Sequence, residues 1–148
     1  MQIISVINQK GGVGKTTTVI NLAAGLSQLN KKILVIDLDP QGNATTGLGL
    51  SNMENSNDTI YGVLNGTKEI AEVIKKTQFE NLDLISSNVD LSGLEVETAD
   101  DSNRAFILKV KLGAYLNDSR GSYDYILIDC PPSLSLLTVM ALVSSKSL

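Results

Sequence analysis

Histidine and tryptophan are absent from this 148-residue chain, and cysteine occurs once. A lone cysteine excludes an internal disulfide, and without histidine no Cys/His set can build a structural zinc site. The single thiol fits a reducing compartment. Aromatic residues make up only 4% of a chain that is 43% hydrophobic, so the core must be aliphatic. Positive charge is in deficit as well. Twelve Lys and Arg face 16 Asp and Glu, a net charge of −4, so no overall positive field draws a polyanion and nucleic-acid binding needs a local patch or an assembly. The apolar run Ile3 to Ile7 is shorter than a signal-peptide core or a membrane span. These absences lead to the expectation of a cytoplasmic, soluble protein with no membrane segment. Its length suits a single domain over residues 1–148 with one real core.

What is present is an alternation of apolar runs and helical periodicity. Ile3 to Ile7 reads as a strand, followed by a glycine-rich segment and then a helix in which Val19, Leu22, Ala23, Leu26 and Leu29 recur at helical spacing. Asn30-Lys31-Lys32 closes that helix with basic residues at its negative end. Ile33-Leu34-Val35-Ile36 is a continuous apolar run, as a parallel strand covered on both faces requires. The Gly/Ser/Asn/Thr-rich stretch from Ala44 to Asp58 predicts a long surface loop, and Ile60–Leu64 and Ile70–Lys75 predict short helices. Leu82 to Ser86 predicts a third strand. Asp100-Asp101-Ser102 can start a helix carrying Ala105, Leu108, Leu112, Tyr115 and Leu116 on one face and ending near Asn117. Tyr125 to Asp129 predicts a fourth buried strand, and Leu134 to Val143 a last helix. The order implies an α/β domain with a largely parallel sheet and helices on both faces. In such a sheet, ligands bind beyond the carboxyl ends of the strands. Three polar groups, Asn8–Thr17, Asp37–Asn43 and Asp129–Ser133, directly follow predicted strands, so one crevice can gather them.

The strongest motif is Lys10-Gly11-Gly12-Val13-Gly14-Lys15-Thr16-Thr17. Glycines let successive amide N–H groups point into one concavity, and the helix that follows adds its positive end, which together suit a polyphosphate. Lys15 can reach the outer phosphates and the Thr16 hydroxyl can ligate Mg²⁺. In Asp37-Leu38-Asp39-Pro40-Gln41-Gly42-Asn43 two carboxylates stand two residues apart at a strand end. One can order the waters of a metal while the other orients an attacking water. A plain polar turn is the alternative for that segment, since Asp-Pro and Gln-Gly form turns readily. Cys130 reads as a buried core thiol, and Tyr61, Tyr115, Tyr123 and Tyr125 as packing residues.

The usual phosphate-loop pattern has glycine five residues before Gly14, where this chain has Gln9. With Lys10 directly before the paired glycines, the segment resembles the deviant Walker A motif of the ParA/MinD group of P-loop ATPases. Asp-Leu-Asp-Pro-Gln-Gly-Asn and Asp-Cys-Pro-Pro-Ser-Leu are similar to the ParA/Soj branch, and the resemblance runs from Met1 to about Ser145. It implies a P-loop NTPase-type fold and an ATP hydrolase with ATP and Mg²⁺ as cofactors. Lys10 is then the lysine that reaches across a nucleotide-sandwich dimer, with Lys15 and Asp39 as its catalytic companions. Gly11, Gly12, Val13, Gly14, Thr16 and Thr17 complete the nucleotide cradle, and Thr16, Asp37 and Asp129 stand on the metal side, Asp129 as the Walker B carboxylate. The resemblance also implies an ATP-dependent homodimer acting as a switch in plasmid or chromosome partitioning with a ParB-like centromere-binding partner. Nonspecific DNA is a ligand of complete family members, and no residue present in this chain supports it.

Members of that group continue for a further hundred or so residues. On the resemblance, the domain is therefore expected to be incomplete, truncated at its C-terminus, because Ser144 to Leu148 lacks the apolar run of a next strand. Three other readings stay open: a truncated nucleotide-binding remnant that does not hydrolyse, a regulatory interaction module, and a small-molecule kinase on the same fold.

Overall fold

A computed structural model describes residues 1–7, 13–51, 55–118 and 122–145, without the side chains of Val13 and Lys15. Five strands, β1 (Gln2–Val6), β2 (Ile33–Asp37), β3 (Ile74–Lys76), β4 (Leu82–Ile85) and β5 (Tyr125–Asp129), form one sheet in the order β1-β5-β2-β4-β3. β1, β5, β2 and β4 are parallel, and β3 pairs antiparallel with β4. Among the described residues the helices are α1 (Val13–Gln28), α2 (Asn43–Gly47), α3 (Ile60–Leu64), α4 (Ile70–Val73), α5 (Leu94–Glu97), α6 (Ile107–Asn117) and α7 (Leu136–Ser144), accompanied by short 3-10 turns.

The central strands follow from their composition. All five residues of β2 are buried, and its alternate side chains enter two different cores. Leu34 and Ile36 pack with α3, α6 and α7, whereas Ile33 and Val35 pack with Val19 and Ala23 of α1. Helices therefore cover both faces, as the sequence implies. Each such fully buried aliphatic side chain contributes roughly 1.5–3 kcal/mol from removal of apolar surface from water.

α1 stops where Asn30 takes the left-handed conformation at φ 63°, with the Asn30 N–H donating to Ser27 O and the Lys31 N–H to Leu26 O. Lys31 and Lys32 consequently lie beyond the last turn rather than in it. Leu22 and Leu29, at 41% and 70% exposure, also fall outside the buried face, which Val19 and Ala23 define.

Three expectations are corrected, and one segment gains an element. The stretch from Ala44 to Asp58 is not simply a surface loop. It opens with α2, whose Ala44 and Thr45 are buried, and closes with a 3-10 turn at Ser56–Asp58, while residues 52–54 lie outside the described ones. The helix expected over Ile70–Lys75 ends at Val73. Ile74–Lys76 instead extends along the open side of β4, where its backbone groups gain ladder partners. Residues 89–97, for which the sequence suggested no element, hold a 3-10 turn and α5. Finally, Asp101 caps a local turn, accepting from the Asn103 N–H at 2.8 Å, so α6 begins only at Ile107 after a 3-10 turn at Arg104–Phe106. Leu108 and Leu112 are its buried positions, and it ends at Asn117 as expected. Among the described residues no helix is long and apolar enough to cross a membrane.

Candidate functional site

At the carboxyl edge of the sheet, β5 lies between β1 and β2, and Val6, Asp129 and Asp37 stand side by side in register. The Leu38 N–H donates to Asp129 O and the Cys130 N–H to Val6 O, so the three strand ends are stitched together just where the chain becomes polar. α1 begins beside them. Its first turn carries no acidic residue, which leaves the positive end of a 16-residue helix without a carboxylate of its own. Lys10, Gly11 and Gly12 lie outside the described residues, as do the side chains of Val13 and Lys15. Gly14 is described: a Cβ built there meets no atom within 4 Å, so internal packing does not call for glycine at this position.

The buried Thr16 hydroxyl donates to Asp129 Oδ2 at 3.2 Å, tying the first turn of α1 to the end of β5. Asp37 is completely buried on the other side of Asp129. Burial pushes its carboxyl up from 3.8 to about 7, and the neighbouring Asp129 charge adds to the rise. Opposing it are hydrogen bonds donated by the Thr45 N–H and hydroxyl to Oδ2, at 2.8 and 2.7 Å, and by the Asp39 N–H to Oδ1 at 3.1 Å.

Asp39 opens a tight turn in which the Gly42 N–H donates to Asp39 O at 2.9 Å, and Gly42 completes the turn at φ 68°, the left-handed region that favours glycine. The polar turn weighed for this segment is thus present, and it carries Asp39 to the cleft. The Asp39 Oδ1 atom accepts from the Gln41 N–H at 3.0 Å. A cleft of about 760 Å³ runs along these elements, lined by Thr16, Thr17, Asp39, Gln41, Asn43 and Ser133 among others. The described parts of the three polar groups read from the sequence, Thr16 and Thr17 for the first, therefore meet at one edge. The end of β4 joins them unexpectedly: Ser87 is fully buried and its hydroxyl donates to Asp39 O at 2.7 Å. Thr45, within α2, and Ser87, just beyond β4, carry no motif, and only the fold brings them to Asp37 and Asp39.

The donor set formed by Thr16, Asp37 and Asp129 is all oxygen, which suits a hard cation such as Mg²⁺. Among the described residues no group of three or more His, Cys, Asp or Glu could hold a metal ion. The protein thus offers part of a coordination shell, the arrangement expected where phosphate oxygens and waters supply the rest.

A protein family described as an AAA domain matches residues 1–148, and the chain belongs to it. Its fold is that of the P-loop NTPases. Within the family it is similar to the sporulation initiation inhibitor protein Soj of Bacillus subtilis, with 45% identity over 146 residues covering 99% of this chain and 56% of the relative. It is likewise similar to the chromosome partitioning protein ParA of Caulobacter vibrioides, with 42% identity over 147 residues covering 99% and 54%. The ParA/Soj resemblance carried by the motifs is therefore also that of the whole chain, which spans about half the length of these curated relatives. Among solved structures, cobyrinic acid a,c-diamide synthase from Mycobacterium smegmatis with bound ATP analog and magnesium matches with a TM-score of 0.88 and 36% identity, over 98% of this chain and 57% of that one. A putative plasmid partition protein from Borrelia burgdorferi bound to AMPPNP matches with a TM-score of 0.81 and 35% identity, over 97% and 58%.

Proposed function

We propose that this chain is an ATPase of the ParA/Soj partitioning type, which binds ATP with Mg²⁺ in the cleft, dimerises face to face, and hydrolyses the γ-phosphate as a switch in plasmid or chromosome partitioning. The observation that carries this reading is the Thr16–Asp129 hydrogen bond at the start of α1, with Asp37 beside it and Asp39 at the cleft wall. The solved neighbours crystallised with an ATP analog and magnesium support the choice of ligand.

In this reading the backbone amides of Gly11 to Thr17 hold the phosphates, with Lys15 neutralising the outer ones. Thr16 and Asp129 hold the metal side, and Asp37 stands next to Asp129 to order its surroundings. Bound Mg²⁺ supplies charge neutralisation at the phosphate oxygens. Asp39 accepts a hydrogen bond from the attacking water and aims it. Lys10 reaches the partner's phosphates across the dimer, placing a cation where negative charge grows in phosphoryl transfer. A ParB-like protein is the partner expected to trigger turnover.

The test is steady-state phosphate release with Mg-ATP, beside calorimetric nucleotide binding and sedimentation with and without ATP. The native chain is expected to turn over and to dimerise with ATP. Asp39→Ala is expected to lose about a hundredfold in rate while still binding. Equal and negligible turnover in both would favour the non-hydrolysing remnant. Absence of binding to ATP, GTP or their diphosphates would remove the reading altogether.

A further inference from the structure

Hydroxyl residues in α2 and just beyond β4 close a ring with the carboxylates that follow β2. Thr45 donates through both its N–H and its hydroxyl to Asp37 Oδ2, the Ser87 N–H donates to Thr45 Oγ1 at 3.0 Å, the Ser87 hydroxyl donates to Asp39 O at 2.7 Å, and the Asp39 N–H returns to Asp37 Oδ1 at 3.1 Å. Asp37, Thr45 and Ser87 are fully buried and Asp39 is 4% exposed. The hydroxyl protons of Thr45 and Ser87 are both committed, so the ring fixes three separate segments with no free hydroxyl donor left over. In an interior of low dielectric such a satisfied network is rigid.

Its consequence falls on one side chain. Asp39 is gripped through its main chain, at N–H by Asp37 and at the carbonyl by Ser87 and Gly42, while its carboxylate is left at the cleft. Oδ1 takes the Gln41 N–H, and Oδ2 has no hydrogen-bond partner among the described residues. A carboxylate that must aim a water needs a fixed backbone beneath it, because a displacement of about 1 Å in such a group can cost a hundredfold in rate.

We propose that Thr45 and Ser87 are positioning residues for hydrolysis, setting the aim of the Asp39 carboxylate by locking its backbone to Asp37 and to the end of β4. This inference rests on the hydrolytic reading above and adds two residues to it. Neither lines the cleft, so their loss is expected to lower turnover more than nucleotide binding.

The experiment compares the full chain with Thr45→Val, Thr45→Ser and Ser87→Ala, reading kcat, the ATP dissociation constant by calorimetry, and amide exchange over residues 38–46. Thr45→Val and Ser87→Ala are expected to lower kcat at least about tenfold with the dissociation constant within about threefold, and to speed exchange in that segment. Thr45→Ser, which keeps the hydroxyl, is expected to hold kcat within about threefold of the native chain. Ser87→Ala removes a single oxygen and keeps the N–H bond to Thr45, so it serves should Thr45→Val fold poorly. Native turnover in both ring variants, equal losses in binding and kcat, or a Thr45→Ser as impaired as Thr45→Val would each overturn the inference alone. A native chain that binds ATP without turning it over would overturn the hydrolytic reading and this inference with it.

Discussion

Replacing Asp37 by asparagine should change how stability depends on pH, and the expected size follows from the site. The folded carboxyl is raised from 3.8 to about 7, chiefly by burial. Between those values the folded chain keeps a proton that the unfolded chain has released. The unfolded state therefore binds fewer protons, and stability falls as pH rises, reaching its floor above about 7. From pH 5 to pH 8 this group alone withdraws roughly 2–3 kcal/mol, a large share of an ordinary domain's stability. The substituted amide has no proton to lose. Its one oxygen can replace Oδ2 toward Thr45 or Oδ1 toward the Asp39 N–H, but not both, and that cost is the same at every pH. Urea denaturation of both chains at several pH values, with Mg²⁺ chelated, isolates the Asp37 site, because titrating groups that do not interact with Asp37 cancel in the difference and the charge of Asp129 is a smaller cause than burial. Asp37→Asn is expected to gain on the native chain by that roughly 2–3 kcal/mol on going from pH 5 to pH 8. A difference that stays flat within about 0.5 kcal/mol, the scatter usual for independent terms, would refute the burial argument.

Lys10→Ala is expected to abolish phosphate release while leaving calorimetric ATP binding measurable, and equal loss of both would remove its cross-dimer role. Gly62→Ala is expected to cost more than about 2 kcal/mol in chemical denaturation, since a Cβ on Gly62 would stand 2.0 Å from the carbonyl oxygen of Asn57. A loss below about 0.5 kcal/mol would mean that the turn before α3 can move aside.

The central sheet is legible in the sequence because its strands are continuous apolar runs, Ile33–Ile36 and Tyr125–Asp129, whose flanking carboxylates announce the functional edge. Local pattern is less informative where a segment's conformation is settled by a distant partner. Ile74–Lys76 continues a helical pattern yet pairs with β4, because an open ladder of backbone groups is worth more than another helical turn. α2 sits in a stretch whose Gly, Asn and Thr content reads as loop, and it is held by Thr45 bonding back to Asp37 eight positions earlier. Ser87 is the same case at longer range. Its site role depends on Asp39, 48 residues away, and no spacing rule connects a serine to a carbonyl at that distance. Asp37, Asp39, Asp129 and Thr16 could be found because they fall in motifs, whereas Thr45 and Ser87 could be found only through the fold.

The middle position of β5 has a consequence for how the molecule is born. Its partners β1 and β2 both precede it by nearly a hundred residues or more, and among the described residues β1 pairs with no other strand. On the ribosome, the pairing of β1 within this sheet therefore waits until Asp129 has emerged and β5 can slip between the two. Pairings of such long sequence separation are slow to form. β1 is thus among the last pieces of this sheet to find its place.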